Sequence, residues 1–196
     1  MMIRLTSALI AASALATPAL AQRVPAAQVA VVDLERVGRE CNACKTAGTA
    51  LQSQINAFNT RRQQLTTQLQ PERTQLQTAV TALAGKQPDA ALTQRIQAFQ
   101  QKEAAAAQEL ERQQTQIQRN QAYISQQINA KLSPLLQPAM ERRGGNVLMD
   151  TGAALRFATT LDITNDVLTA LNAALTTVAT TAPAQTTQQQ QAPQGR

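Results

Sequence analysis

The 196-residue sequence contains no histidine and no tryptophan, only two cysteines, and 2% aromatic residues. The missing histidines remove the commonest general base and metal ligand, and two cysteines alone cannot complete a four-ligand zinc site. The chain also lacks the glycine-rich phosphate-binding motif of nucleotide-driven proteins, and it has few aromatic side chains on which nucleic-acid bases could stack. We therefore expect no enzyme activity, no catalytic residue, no metal site, no cofactor and no nucleic-acid partner.

Basic residues outnumber acidic residues, which gives a net charge of +6 and a pI of about 10.2. Basic proteins favour acidic partners, such as anionic lipid surfaces or acidic polypeptides. Adjacent basic residues occur only at Arg61-Arg62 and Arg142-Arg143, so the positive charge is scattered along the chain. A peripheral attraction to an anionic membrane surface and a merely solvated basic surface both fit this pattern.

The first 21 residues have the pattern of a secretory signal peptide. Arg4 supplies the positive end, Leu5–Leu15 is an apolar run too short to span a bilayer well, and Ala19–Ala21 fits a cleavage site. We expect cleavage after Ala21, which leaves Gln22 first. The mature protein is then expected outside the cytoplasm, in the periplasm of a Gram-negative cell.

Two stretches with a heptad period fill the middle of the chain, between about residues 46 and 132. A tip over Gly85–Asp89 separates them, with glycine and proline as stop and start signals for helices. The pattern predicts a long antiparallel coiled-coil hairpin, with Arg62, Glu72, Glu103 and Gln113 at polar seam positions. The apolar seam residues are Leu51, Ile55, Phe58, Leu65, Leu69, Leu76, Val80, Leu83, Leu92, Ile96, Phe99, Ala106, Leu110, Ile117, Ile124 and Ile128.

Three prolines fall within or next to these helical patterns. Pro71 lies inside the first arm, where it is either a tolerated bend or a flexion point that lets the arms splay. Pro134 and Pro138 are expected to end or bend the return helix around Leu132–Met140.

The two ends of the chain predict a small body that carries the hairpin. Strands are expected over Gln28–Leu34, Asn146–Asp150 and Ala154–Ala158, followed by a helix that Asp162 caps. Unpaired strand edges favour closure of several copies into one body. The predicted trimer and body core comprises Val29, Val31, Val147, Leu148, Leu155 and Phe157.

These patterns together predict an α+β fold that is predominantly helical, with a long coiled-coil hairpin inserted into a small trimerising β-body. Residues 1–21 form the signal peptide, residues 22–45 and 133–178 the body, and residues 46–132 the arm. Residues 179–196, rich in Thr, Ala, Pro and Gln, are expected to be a disordered tail.

The two cysteines form a C-x-x-C motif at Cys41 and Cys44, just before the first arm. Export to an oxidising compartment favours a structural disulfide at the base of the hairpin. Unpaired thiols are a second interpretation. Redox catalysis is a third, although the thioredoxin-like βαβ pattern is missing.

Three segments of this chain resemble the Skp (OmpH-like) family of periplasmic chaperones. They are the first predicted strand with its continuation, Gln28–Val37, the glycine-led strand region Gly144–Ala158, and the helix start Leu161–Leu171. The resemblance implies a homotrimer in which strands form a central body and three helical hairpins surround a cavity. It also implies a chaperone that holds unfolded outer-membrane β-barrel proteins without ATP. The C-x-x-C motif, the Gln-rich arms and the Gln/Thr-rich tail depart from the family pattern.

The sequence therefore favours an ATP-independent holdase whose partners are unfolded outer-membrane proteins. A structural coiled-coil adaptor of an envelope assembly is the main alternative, followed by a thiol-redox enzyme and a nucleic-acid binder. Basic side chains on the arms would attract acidic segments of a client. The candidate client contacts are Arg61, Arg62, Arg73, Lys86, Arg95, Lys102, Arg112 and Arg119.

Overall fold

The computed structural model of the chain describes residues 25–184. The predicted signal peptide and the tail beyond residue 184 lie outside these residues. The described part is predominantly helical with one small sheet, as the sequence predicts. Its elements are β1 (Val29–Val32), α1 (Leu34–Glu40), α2 (Asn42–Ala82), α3 (Ala90–Arg142), β2 (Val147–Asp150) and α4 (Thr164–Ala174).

Strands β1 and β2 form a parallel pair in which Val29 lies opposite Val147 and Val32 opposite Asp150. A parallel pair needs a long crossover between its strands, and here α1, α2 and α3 supply it. On the other side of β1 the chain makes one further bridge, where Ile163 N donates to Val31 O at 2.9 Å. The hairpin is therefore an insertion between two paired strands.

The third strand predicted over residues 154–158 is absent from the described chain. Asp150 ends β2 because its side chain accepts a hydrogen bond from Gly152 N at 2.8 Å, which starts a 3₁₀ turn over Thr151–Ala153. A second 3₁₀ turn follows at Thr159–Leu161. The intervening Leu155 is fully exposed, at 105% of its reference area, and Phe157 is 37% exposed.

A short helix that the sequence pattern did not indicate lies between β1 and the first arm. Asp33 caps α1 by accepting a hydrogen bond from Arg36 N at 2.7 Å, and Val37 on this helix is fully buried. Cys41 then caps α2, which begins at Asn42 and not at about Thr46 as predicted. The first arm is therefore anchored directly in the base.

The two arm helices are long and continuous. Helix α2 has 41 residues and α3 has 53, which correspond to about 60 Å and 80 Å. At the tip, Ala84 and Gly85 have φ of 49° and 89°, a left-handed turn that ends the first arm. Asp89 caps α3 by accepting from Leu92 N at 2.7 Å.

Helix α3 passes through both Pro134 and Pro138 and ends only at Arg142, so of the two outcomes expected around Leu132–Met140, an end or a bend, the end is excluded. Pro71 is likewise inside an unbroken α2. All three prolines are on the exposed side of their helices. The carbonyl groups that lose a helical partner there can bond to water, which lowers the cost of each proline.

The hydrophobic core lies at the base and is built mainly from helices. Fully buried Ile163, Val167 and Leu171 of the α4 segment pack with Val32 and Val37. Buried residues of both arm ends, Cys41, Ala43, Cys44, Leu132 and Ala139, complete this cluster. The base is therefore a helical cluster beside a small sheet.

Of the six residues predicted as body core, Val31 alone is buried in the described chain. Val29 and Leu148 are half-buried, whereas Val147, Leu155 and Phe157 are exposed. Alternation along the predicted third strand placed Leu155 and Phe157 on one side, and within residues 25–184 that strand does not form.

An ion pair holds helix α4 against the end of α3. Arg143 donates to both carboxylate oxygens of Asp166, at 2.7 and 3.1 Å. Asp162 was expected to cap this helix, but Ile163 is the N-cap residue and no side chain caps the helix; Asp162 Oδ1 accepts from Thr164 N at 2.8 Å just before the first turn. Gly145 permits the chain to pass close to α3 and β1 before β2, because a Cβ atom would lie 2.9 Å from Met140 Cγ and 3.2 Å from Ala30 Cβ.

Residues 179–184 were predicted to begin a disordered tail, and the structure corrects this. They have no regular secondary structure, lie beside the lower part of the hairpin and form hydrogen bonds with both arms. Residues 185–196 lie outside the described part of the chain.

Candidate functional site

The hairpin is the largest surface of the molecule, and a narrow apolar seam joins its arms. Leu76, Phe99 and Ile124 are buried in the seam, whereas most other seam residues are only half-buried. Each arm has a single facing partner, so water reaches the sides of the seam. The arms consequently present partly exposed apolar side chains along their whole length.

The seam register differs from the predicted one at two places on α2. Arg61 and Ala79 are half-buried toward the other arm, whereas the predicted Arg62 and Val80 are exposed, Val80 by 45%. An α-helix has 3.6 residues per turn, whereas an ideal heptad repeat has 3.5. The apolar stripe therefore drifts along the helix, and a neighbouring residue can face the other arm. The predicted polar seam positions on α3 are half-buried.

Three ion pairs join the arms across the seam. Arg61 binds Glu109 in a bidentate arrangement, with N–O distances of 2.6 and 3.0 Å. Lys102 Nζ lies 2.7 Å from Glu72 Oε2, and Arg73 pairs with Glu103. Three of the eight predicted client contacts, Arg61, Arg73 and Lys102, are therefore engaged in holding the hairpin together.

The remaining predicted contacts divide into two groups. Arg62, Lys86, Arg95 and Arg112 are exposed and form no ion pair within residues 25–184. Arg119 is half-buried and donates to the backbone oxygen of Pro183. The four exposed cations are available to an acidic partner, and their contact with a client stays a prediction.

An open crevice of about 510 Å³ lies between the arms at mid-length. Ala105 and Ala106 are too small to cover the facing Leu65 and Leu69, so the crevice has an apolar floor. Charged side chains surround it, namely Glu72, Lys102, Glu109 and Arg112. Such a surface offers shallow apolar contact and no enclosed pocket.

The hydrogen bonds from Arg61 hold the pKa of Glu109 below its usual value, against a smaller opposing effect of burial. The same pair raises the pKa of Arg61. A carboxylate with a lowered pKa stabilises the folded state above its unfolded pKa, near 4.5, and this contribution is lost as the pH falls through the folded value.

Replacing Glu109 with glutamine is therefore expected to lower the melting temperature by about 1–3 °C at pH 7, because an exposed pair contributes little. At pH 3 the difference should be smaller, because the contribution of Glu109 is lost as the pH falls below its unfolded pKa and through its lowered folded pKa. Thermal unfolding followed by circular dichroism measures both values. Glu111→Gln is the control, because Glu111 is exposed on the same helix and unpaired in the described chain. An E109Q difference that is equal at both pH values would contradict the assignment.

The structure joins Cys41 and Cys44 in a disulfide at the start of α2, with the Cα atoms 5.1 Å apart. Cys41 is fully buried and Cys44 is 8% exposed, both within the base cluster. Thiol–disulfide catalysis needs a sulfur that a substrate can reach. The location argues for a structural role at the junction of base and arm.

Within residues 25–184, no group of three or more metal-ligating side chains comes together. None of the helices described there combines the length and apolar character that crossing a bilayer requires.

A family model described as outer membrane protein (OmpH-like) matches residues 28–171. The chain belongs to the OmpH-like family. The matched range contains all three segments that carried the resemblance at the sequence level, and it includes both arms and most of α4. The family prediction is thereby confirmed.

One solved structure similar to this OmpH-like chain comes from Caulobacter crescentus CB15 and is provisionally described as an outer membrane chaperone (OmpH-like). The two share 20% sequence identity with a TM-score of 0.64, and the alignment covers 80% of this chain and 90% of the other. At this identity the likeness concerns the fold. No curated protein matches the chain.

Proposed function

We propose that this OmpH-like protein is an ATP-independent holdase that binds unfolded outer-membrane β-barrel proteins in the periplasm. The observation that carries the proposal is the hairpin itself, two helices of 41 and 53 residues with a half-exposed apolar seam. Such arms can touch a collapsed chain at many points. Membership of the OmpH-like family supports the same function.

Holding without ATP requires contacts that are individually weak and easily reversed. The crevice near Leu65 and Leu69 is open, and the seam residues beside it are half-buried, so each apolar contact is shallow. The exposed cations Arg62, Arg95 and Arg112 add attraction toward acidic segments and increase the rate of encounter. Many such contacts acting together give avidity without a deep pocket.

A cage of arms requires several copies, and we propose that the base forms a homotrimer. Its exposed side carries Val147, Leu155, Phe157 and Leu161, with exposed fractions of 39%, 105%, 37% and 37%. Within the described chain, β2 pairs only with β1, so its outer edge has unpaired backbone groups. An apolar patch beside an open strand edge is the pattern expected of a surface covered by a second copy.

The holdase proposal is tested with mature protein starting at Gln22. A urea-unfolded outer-membrane β-barrel protein is diluted into buffer with and without the chaperone while light scattering is recorded. We expect suppression that saturates near three chains per client. Unchanged scattering at every ratio would reject the proposal and favour a structural adaptor, for which pull-down of folded envelope partners is the next experiment.

Replacing Phe157 with glutamate is expected to reduce the oligomer from three chains to one at micromolar concentration. Burying an unpaired carboxylate in the interface would oppose association, whereas the residue is already 37% exposed in the single chain. Light scattering coupled to size-exclusion chromatography gives the mass. Thr60→Glu on the exposed side of α2 is the control and should leave the mass unchanged. A trimer that survives F157E would place the interface elsewhere.

A further inference from the structure

The segment Val178–Ala184, here called the strap, lies against the lower hairpin without regular secondary structure and with a bend at Thr181. Its burial alternates: Val178, Thr180 and Ala182 are half-buried against the molecule, whereas the residues between them are exposed. Half-buried and exposed residues thus alternate along the strap, although it forms no β-strand. The side chains that face the arms from residue 180 onward are small.

The arms bind the strap through its backbone. Gln127 donates to Ala179 O at 2.9 Å and accepts from Ala179 N at 3.0 Å, so one side-chain amide contacts both polar groups of one residue. Gln54 donates to Thr180 O at 3.1 Å, and Ala182 N donates to Asn120 Oδ1 at 2.8 Å. Arg119 donates to Pro183 O. None of these bonds depends on the identity of a strap side chain.

The amide groups that make these bonds are positioned by one another. Asn120 is only 3% exposed, at a seam position where an apolar residue would be expected. Its Nδ2 donates to Gln54 Oε1 at 2.7 Å, and its Oδ1 accepts from Gln116 Nε2 at 2.7 Å as well as from the strap. A polar cluster in a coiled-coil seam costs stability, so its presence calls for a role.

We propose that the cleft formed by Gln54, Asn120 and Gln127 is a binding site for non-helical polypeptide backbone, which the strap fills within its own chain. The ligand class is an unfolded segment with small side chains at alternate positions. This inference rests on the proposed holdase function and names a site for it. A client segment would displace the strap and take over the same hydrogen bonds.

The geometry accounts for binding that is both general and reversible. Contacts to backbone N–H and C=O groups are offered by every polypeptide, and alternation of side chains is common to all β-barrel strands. The strap is tethered beside the cleft, which gives it a high effective concentration. A client therefore competes against a built-in ligand, and its apparent affinity for this site is reduced.

The first test compares two truncations of the mature chain by fluorescence anisotropy. One ends after Val178 and lacks most of the strap, and the matched control ends after Ala184 and keeps it. The probes are a labelled peptide with the sequence of residues 178–184 and a peptide of the same length with alternating alanine and threonine. We expect the shorter chain to bind both probes at least about tenfold more tightly than the control.

Two changes should weaken binding of the strap peptide to the shorter chain by about five- to tenfold, namely Gln127→Ala in the protein and N-methylation of the peptide at the position of Ala182. N-methylation at the position of Thr181 is the control, because that N–H donates no hydrogen bond within the described chain. Three results would each overturn the inference. They are equal binding by both truncations, binding of the strap peptide but not of the alanine–threonine peptide, and unchanged affinity in the Q127A variant.

A second measurement uses the full mature chain and needs no truncation. Hydrogen exchange at the Ala179 and Ala182 amides, which donate to Gln127 and Asn120, is followed before and after addition of an excess of urea-unfolded β-barrel protein. We expect protection at both amides to fall at least about fivefold. Protection that persists while aggregation is suppressed overturns the cleft as a client site and leaves the holdase function standing. Lost protection without suppression would reject the holdase function alone.

Discussion

Replacing Leu171 with alanine is expected to lower the free energy of unfolding by about 2–5 kcal/mol, the largest effect of any single substitution considered for this chain. Leu171 is fully buried on α4 and belongs to the base cluster together with Val37 and Val167. Its truncation removes apolar burial and leaves a cavity that neighbours on three helices cannot easily close. The loss would be a large share of the 5–15 kcal/mol that stabilises a typical domain.

The effect should be near the upper end of this range because the base has so little core. The arms bury a narrow seam, so the cluster around Leu171 is the only extensive apolar core in the described chain. The Arg143–Asp166 pair holds α4 against the end of α3 and restricts its movement into the cavity. Relaxation around the lost side chain is correspondingly limited.

Urea unfolding followed by circular dichroism measures the change, at one chain concentration because an oligomer's stability depends on it. Thr169→Ala on the exposed side of α4 is the matched control and should change stability by less than about 0.5 kcal/mol. A loss below about 1 kcal/mol for L171A would show that the helical cluster at the base is not what holds the fold.

Shortening both arms by two heptads is expected to remove most of the holdase activity while leaving the base folded. Deleting residues 61–74 and 101–114 preserves the heptad phase and removes all three cross-arm ion pairs with both partners. The arms lose about 20 Å of reach together with the crevice around Leu65. Fewer simultaneous contacts then act on a client, so avidity falls steeply.

The measurement is the light-scattering assay at the ratio where the full-length arms saturate. We expect more than half of the scattering to return with the shortened arms, and an unchanged oligomeric mass. Deletion of residues 185–196 is the control and should not alter suppression. Full suppression by shortened arms would mean that the base, not the hairpin, contacts the client.

The heptad arms were predictable because their apolar spacing is strictly local information. Leu76, Phe99 and Ile124 occupy the seam as the sequence predicted. The path of α3 through Pro134 and Pro138 was not predictable, because it depends on both prolines facing water. The core position of Leu171 follows from helix periodicity, whereas Leu155 is exposed because the predicted third strand does not form and the residue lies between two 3₁₀ turns.

The sequence likewise predicted some residues of the candidate site and missed others. Counting charges identified Arg61, Arg73 and Lys102, but only the register of the two arms shows that they pair with Glu109, Glu103 and Glu72. The strap was missed because its Thr/Ala/Pro composition is typical of disorder. Its partners Gln54 and Gln127 are 126 and 52 positions away in sequence, and Gln and Asn within heptads were the only available signal.

The parallel pairing of the two strands also constrains the order in which the chain folds. Gln28 and Asn146, hydrogen bonded at the start of the sheet, are 118 positions apart. Closing a flexible loop of that length costs about 4 kcal/mol in chain entropy. The two arms can instead pair progressively from their tip through local contacts. This pairing brings the two strands near one another at little further cost in chain entropy. The hairpin is thus the early structure and the sheet the late one. Until the sheet closes, both strand edges of the nascent molecule are open, so the interval before closure is when this protein itself is most prone to aggregate.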